Sequence, residues 1–253
     1  MRKNLYMKKS LVFLLIFPLV LLSFCGGKRT TRPTEPEYEF TINGVVVKDL
    51  SMGKDIAYFT ILRDSVDFDS AVVAVDTDTL ENQGGGIYSK EAPHLFDFEE
   101  ALTITVSSAE EDLNFESEVV IPGFFRITAK VPDTVRSSDE FVALHFSAAS
   151  NASRYFISVL KRNNVESALG HTALIPWDKI GNYPIPKTTF RNIHDNYKTG
   201  IYLIYLIAYN KGFVPYPDME FQAPEELPKS VTLPSNVTIG AGVVAPLDSI
   251  KAE

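Results

Sequence analysis

The 253-residue chain has one cysteine, one tryptophan and four histidines, and each scarcity removes a class of chemistry. A single thiol, Cys25, excludes an internal disulfide and any metal site built from several thiolates, so the folded part is held by its core alone. His94, His145, His171 and His194 fall one to a segment, with no pair at metal-ligand spacing. They read as structural or solvent-facing rather than as ligands. No Gly-x-Ser-x-Gly turn is present to hold a nucleophilic serine, and only His171 with nearby Asp178 suggests an acid–base pair. Positive charge is in deficit, with 24 Lys and Arg against 32 Asp and Glu. An acidic surface repels phosphate backbones and anionic headgroups, which argues against nucleic acid as a partner. No cofactor motif is found, and the expectation is a protein that is not an enzyme.

What is present begins with an address. Arg2, Lys3, Lys8 and Lys9 precede a greasy run from Leu11 to Leu22 that Pro18 interrupts. It is too short for the roughly 20 apolar residues of a spanning helix and reads as a signal h-region. Leu22-Ser23-Phe24-Cys25-Gly26-Gly27 closes it, and this stretch resembles the processing site of bacterial lipoproteins. The resemblance implies cleavage before Cys25 and acylation of that residue, with two or more chains giving stable membrane attachment. Gly26 and Gly27 replace the Asp that retains such proteins at the inner membrane, so an outer-membrane location in the cell envelope is implied. The alternative is an ordinary secretory leader cut elsewhere. Loss of residues 1–24 removes four basic and no acidic residues, leaving 20 against 32 and a net charge of −12. Residues 25–37, with no apolar side chain from Lys28 on and two prolines, read as a flexible tether.

From Tyr38 the dominant period is two. Tyr38, Phe40 and Ile42, then Leu102, Ile104 and Val106, alternate with polar residues as half-buried strands do. Residues 56–62 and 71–75 are denser, as expected of strands covered on both sides. No window of ten residues beyond the leader has a helical period. The reading is therefore all-β, with two immunoglobulin-like β-sandwiches at 38–123 and 124–222 divided at Pro122-Gly123, and a glycine-rich C-terminal tail at 223–253.

In the second sandwich, Val142-x-Leu144-x-Phe146 and Tyr155-x-Ile157-x-Val159 resemble strands B and C of fibronectin type III domains. Tyr202-x-Ile204-x-Leu206-x-Ala208 resembles their strand F, with Tyr202 at the position of the corner tyrosine. The order of lipid cysteine, two sandwiches and a closing Ser-Asn-Val-Thr with Gly-x-Gly-Val is similar to uncharacterised lipoproteins encoded beside TonB-dependent receptors. Such scaffolds specify packing and leave function to their loops.

Asp64, Asp67, Asp69, Asp76 and Asp78 place five carboxylates in fifteen residues without the order of a calcium loop, and read as acidic hairpin tips. Trp177, with Tyr183, Tyr197 and Tyr216 in neighbouring loops, offers an aromatic platform for a sugar face or a protein partner. From residue type alone, closure of one end of the second core is the favoured role for Trp177. The functional expectation is a lipid-anchored, non-catalytic envelope protein that binds a partner in the outer membrane. A carbohydrate-binding module using the loop aromatics is the alternative.

Overall fold

Alternating sequence becomes strand throughout the described part of the computed structural model, residues 39–163, 168–225, 227 and 232–253. The leader, Cys25 and the tether lie outside the described residues. In chain order the first half forms β1 (Phe40–Asp49), β2 (Lys54–Arg63), β3 (Val66–Asp67), β4 (Val72–Val75), β5 (Asp78–Thr79), β6 (Glu81–Gly84), β7 (Ile87–Ala92), β8 (Ala101–Ser108) and β9 (Leu113–Val120). The second half forms β10 (Ile127–Val131), β11 (Thr134–Val135), β12 (Phe141–Phe146), β13 (Arg154–Lys161), β14 (His171–Leu174), β15 (Asn182–Pro186), β16 (Gly200–Lys211), β17 (Val237–Val244) and β18 (Asp248–Ala252).

These strands make an all-β sandwich. Its large sheet runs β11-β18-β16-β17-β1-β2-β7-β6, with β13 beside β16, β14 beside β13 and β3 beside β2. Two smaller sheets, β5-β4-β8-β9 and β10-β12-β15, supply the opposing layer. Their inward residues, such as Ile104, Val106, Val142 and Leu144, meet Val46, Phe59, Ile157 and Leu206 of the large sheet in one core. Each fully buried side chain of this kind contributes roughly 1.5–3 kcal/mol. The Tyr202 hydroxyl donates to the Lys198 carbonyl at 2.8 Å, the corner geometry its sequence position implied. Phe146 is buried against Tyr155.

The segment read as a tail is corrected by the topology. β17 lies inside the large sheet, parallel to β1 on one side and antiparallel to β16 on the other, and all eight of its residues are buried. β18 continues along β16, from Gly200 to Ile204. The large sheet thus takes strands from both sides of Pro122-Gly123. Glycine disguised this strand in the sequence, and packing explains the glycine. A Cβ on Gly240 would lie 1.8 Å from the Gly212 carbonyl oxygen, so only a bare backbone allows the approach. Gly44 serves similarly under the Phe59 ring opposite it, where a Cβ would lie 2.1 Å from ring carbons.

The connection from β16 to β17 does not turn tightly, although the two strands are antiparallel neighbours. Its residues 212–225, with Leu227, cross the outer face of the large sheet as a strap. Phe213, Tyr216 and Phe221 of the strap bury Val45, Val47, Ile56, Phe156, Tyr205, Ile207 and Tyr209. This second cluster is why Val45-Val46-Val47 is apolar without alternation: both faces of β1 are covered.

Candidate loop site around Trp177

β14 pairs antiparallel with β13, Leu174 opposite Phe156, and the next N–H, of Ile175, donates to the Tyr155 carbonyl at 2.9 Å. Pro176 then fixes an extended entry, φ −61°, to a single 3-10 turn over Trp177–Lys179. The Lys179 N–H closes this turn on the Pro176 carbonyl at 2.9 Å. Buried Ile175 and Tyr183 turn inward on either side, and the indole between them points out, 61% exposed. The core-closing role expected of Trp177 is therefore corrected, because its neighbours already fill that end of the core. The Arg154 guanidinium, at the start of β13, sits 5.9 Å from the indole centroid and restrains the ring as a cation–π partner.

The three tyrosines expected beside Trp177 are used by the fold instead. Tyr183 is buried, stacked on His171, with its hydroxyl 2.8 Å from Nε2. Tyr216 is buried in the strap and donates to Asp49 Oδ2 at 2.8 Å. Half-buried Tyr197 donates to the Val135 carbonyl at 2.8 Å. Burial pushes all three phenols above their ordinary range, and for Tyr216 the Asp49 carboxylate adds to the effect. The shift favours the protonated phenol in each case. Of the four rings, Trp177 alone is presented to solvent.

The acid–base candidates are likewise committed. His171 bonds Tyr183, and burial holds its imidazole below the ordinary histidine range, neutral at pH 7. Asp178 is solvent-facing beside Lys179, 3.7 Å away, and shares no hydrogen bond with His171. Asp64, Asp69 and Asp76 accept backbone N–H groups of Glu39, Gly86 and Thr103, while Asp78 pairs with Lys90. These carboxylates tie turns together. Among the described residues no group of three His, Cys, Asp or Glu is placed to hold a metal.

Sequence reading missed the buried charges at the end of the β1–β2 hairpin. Lys48 Nζ lies 3.1 Å from Asp55 Oδ2 and donates to the Phe96 carbonyl at 2.6 Å, while the Phe96 N–H donates back to Asp55 at 3.0 Å. Asp49 is fully buried and accepts from the Ser51 hydroxyl, two backbone N–H groups and Tyr216. The available signal was Lys48-Asp49 at the end of an otherwise apolar strand, where unpaired charge is costly.

No protein-family model matches the chain, and no curated protein matches it. Among solved structures, a biofilm-associated protein BSP domain is similar at 13% identity over 81% of this chain, with a TM-score of 0.24. The chain spans 30% of that structure's length. Fibronectin(III)-like modules of Clostridium thermocellum CbhA are similar at 12% identity over 85% of this chain and 93% of theirs, with a TM-score of 0.26. At such scores the fold rests on the sheets described above.

Proposed function

We propose that this chain is a non-catalytic binding protein of the bacterial cell envelope, anchored by acyl groups on Cys25 and engaging an outer-membrane protein through the Trp177 loop. One observation carries the binding half of this reading. An exposed indole, with no hydrogen bond among the described residues, is set on a proline-entered turn with the Arg154 guanidinium over its face. A large ring that is already ordered loses little entropy on contact, the property of interface anchors. The anchoring half rests on the sequence around Cys25. Cys25→Ala is expected to move the protein from the membrane fraction to the soluble envelope fraction; retention there with an unmodified mass defeats the anchor. Affinity capture of the tagged, lipidated protein from its own envelope is expected to recover one partner with the wild type and to lose it with Trp177→Ala.

The same indole supports a second reading, stacking on a sugar face, since a flat exposed ring suits either contact. A glycan array separates the two. Binding abolished by Trp177→Ala favours the carbohydrate module, and a blank array with a captured protein favours the first reading.

A further inference from the structure

The strap leaves part of the large sheet's outer face uncovered. It is fastened over Phe156 and Tyr209, and the Gln222 N–H donates to Ser158 Oγ at 3.2 Å. Past Ser158 the same rows of β13 and β16 continue as Leu160 and Leu203, and there the surface opens into a groove of ≈ 560 Å³. That volume lies within the roughly 300–1,000 Å³ of small-molecule sites. Leu160, Leu203 and Leu247 make an apolar floor, with Leu247 42% exposed. The Tyr205 hydroxyl at the strap edge already donates to Glu220 at 3.1 Å. A sugar or other polar ligand therefore finds little to bond on this floor, whereas an alkyl chain finds surface to bury.

The rim decides the head group. Among the described residues lining the groove, Lys161 and Arg162 stand against one carboxylate, Glu220, in a chain whose net charge is −8. Among the described residues Arg162 has no side-chain hydrogen bond or ion pair. A guanidinium with no side-chain hydrogen bond among the described residues, beside half-buried Leu160 and Leu203 and exposed Leu247, complements an anion on an apolar stem. We propose that this groove binds an amphipathic anion, an acyl or alkyl chain lying on Leu160, Leu203 and Leu247 with its carboxylate or phosphate on Arg162. The proposal draws on neither Trp177 nor Cys25 and stands or falls without them.

The test is calorimetric titration of the full chain carrying Cys25→Ala, so that no acyl group of its own competes. The probes are decanoate, dodecanoate, dodecyl phosphate and dodecanol. Saturable one-to-one binding is expected, with dodecanoate about tenfold tighter than decanoate. Arg162→Ala is expected to weaken dodecanoate about tenfold and leave dodecanol unchanged. Leu247→Trp is expected to abolish binding of all four probes at an unchanged urea midpoint. Dodecyl phosphate binding more tightly than dodecanoate assigns the head to a phosphate, and the reverse order to a carboxylate. No saturable heat, or affinity indifferent to both substitutions, overturns the proposal.

Discussion

Trp177 stands exposed on its loop, whereas Phe156, Tyr205, Tyr209, Phe213, Tyr216 and Phe221 interlock beneath and within the strap, with contacting ring centroids 5.1 to 6.5 Å apart. Both regions are proline-containing connections rich in rings, and composition does not separate them. What separates them is the fate of the polar handle. Tyr216 and Tyr205 find carboxylates, Asp49 and Glu220, inside the fold, so their rings are drawn in with them. Trp177 has an arginine over its face and, among the described residues, no acceptor for its N–H, so it stays at the surface. One region is a second core and the other is a presented surface.

The largest expected break in that contrast is Phe156→Ala. Phe156 touches the rings of Tyr209, Phe213 and Phe221, and its truncation is expected to cost about 3–5 kcal/mol by urea unfolding. A loss below about 1 kcal/mol would show that the strap is not packed as core. Next is Tyr216→Phe, which keeps the ring and strands the buried Asp49 Oδ2. A loss of about 1–3 kcal/mol is expected, and an unchanged midpoint would mean that the hydroxyl does not fasten the strap.

A smaller, pH-dependent effect comes from His171. Its folded pKa is held below the unfolded value of about 6.5, so the unfolded chain binds the proton more readily. Its contribution is complete above that value and is lost as pH falls through the folded pKa. His171→Gln is expected to flatten this part of the stability–pH curve, and an unaltered curve would refute it. Smallest of all is Trp177→Ala, expected to leave stability within about 0.5 kcal/mol while abolishing partner capture. A loss of several kcal/mol would return Trp177 to the core.

The sequence made the inner core legible because one-sided burial leaves a period of two, as in Leu102-x-Ile104-x-Val106 and Val142-x-Leu144-x-Phe146. It concealed β17 because a strand buried on both faces need not alternate. The glycines that admit Gly212 and Phe213 also read as loop. The aromatic residues of the loops were visible as residues but not as a site, since which ring turns outward depends on hydroxyl partners 167 residues away, as for Tyr216 and Asp49. The corner tyrosine was legible because its bond is local, four residues back to Lys198.

Because Trp177 is the chain's single tryptophan, its fluorescence reports the presented surface without interference from another indole. Iodide quenching of the native chain is expected to approach that of the urea-unfolded chain, with long-wavelength emission in both. Short-wavelength emission shielded from iodide until the protein unfolds would contradict an exposed ring, and with it the proposed binding surface.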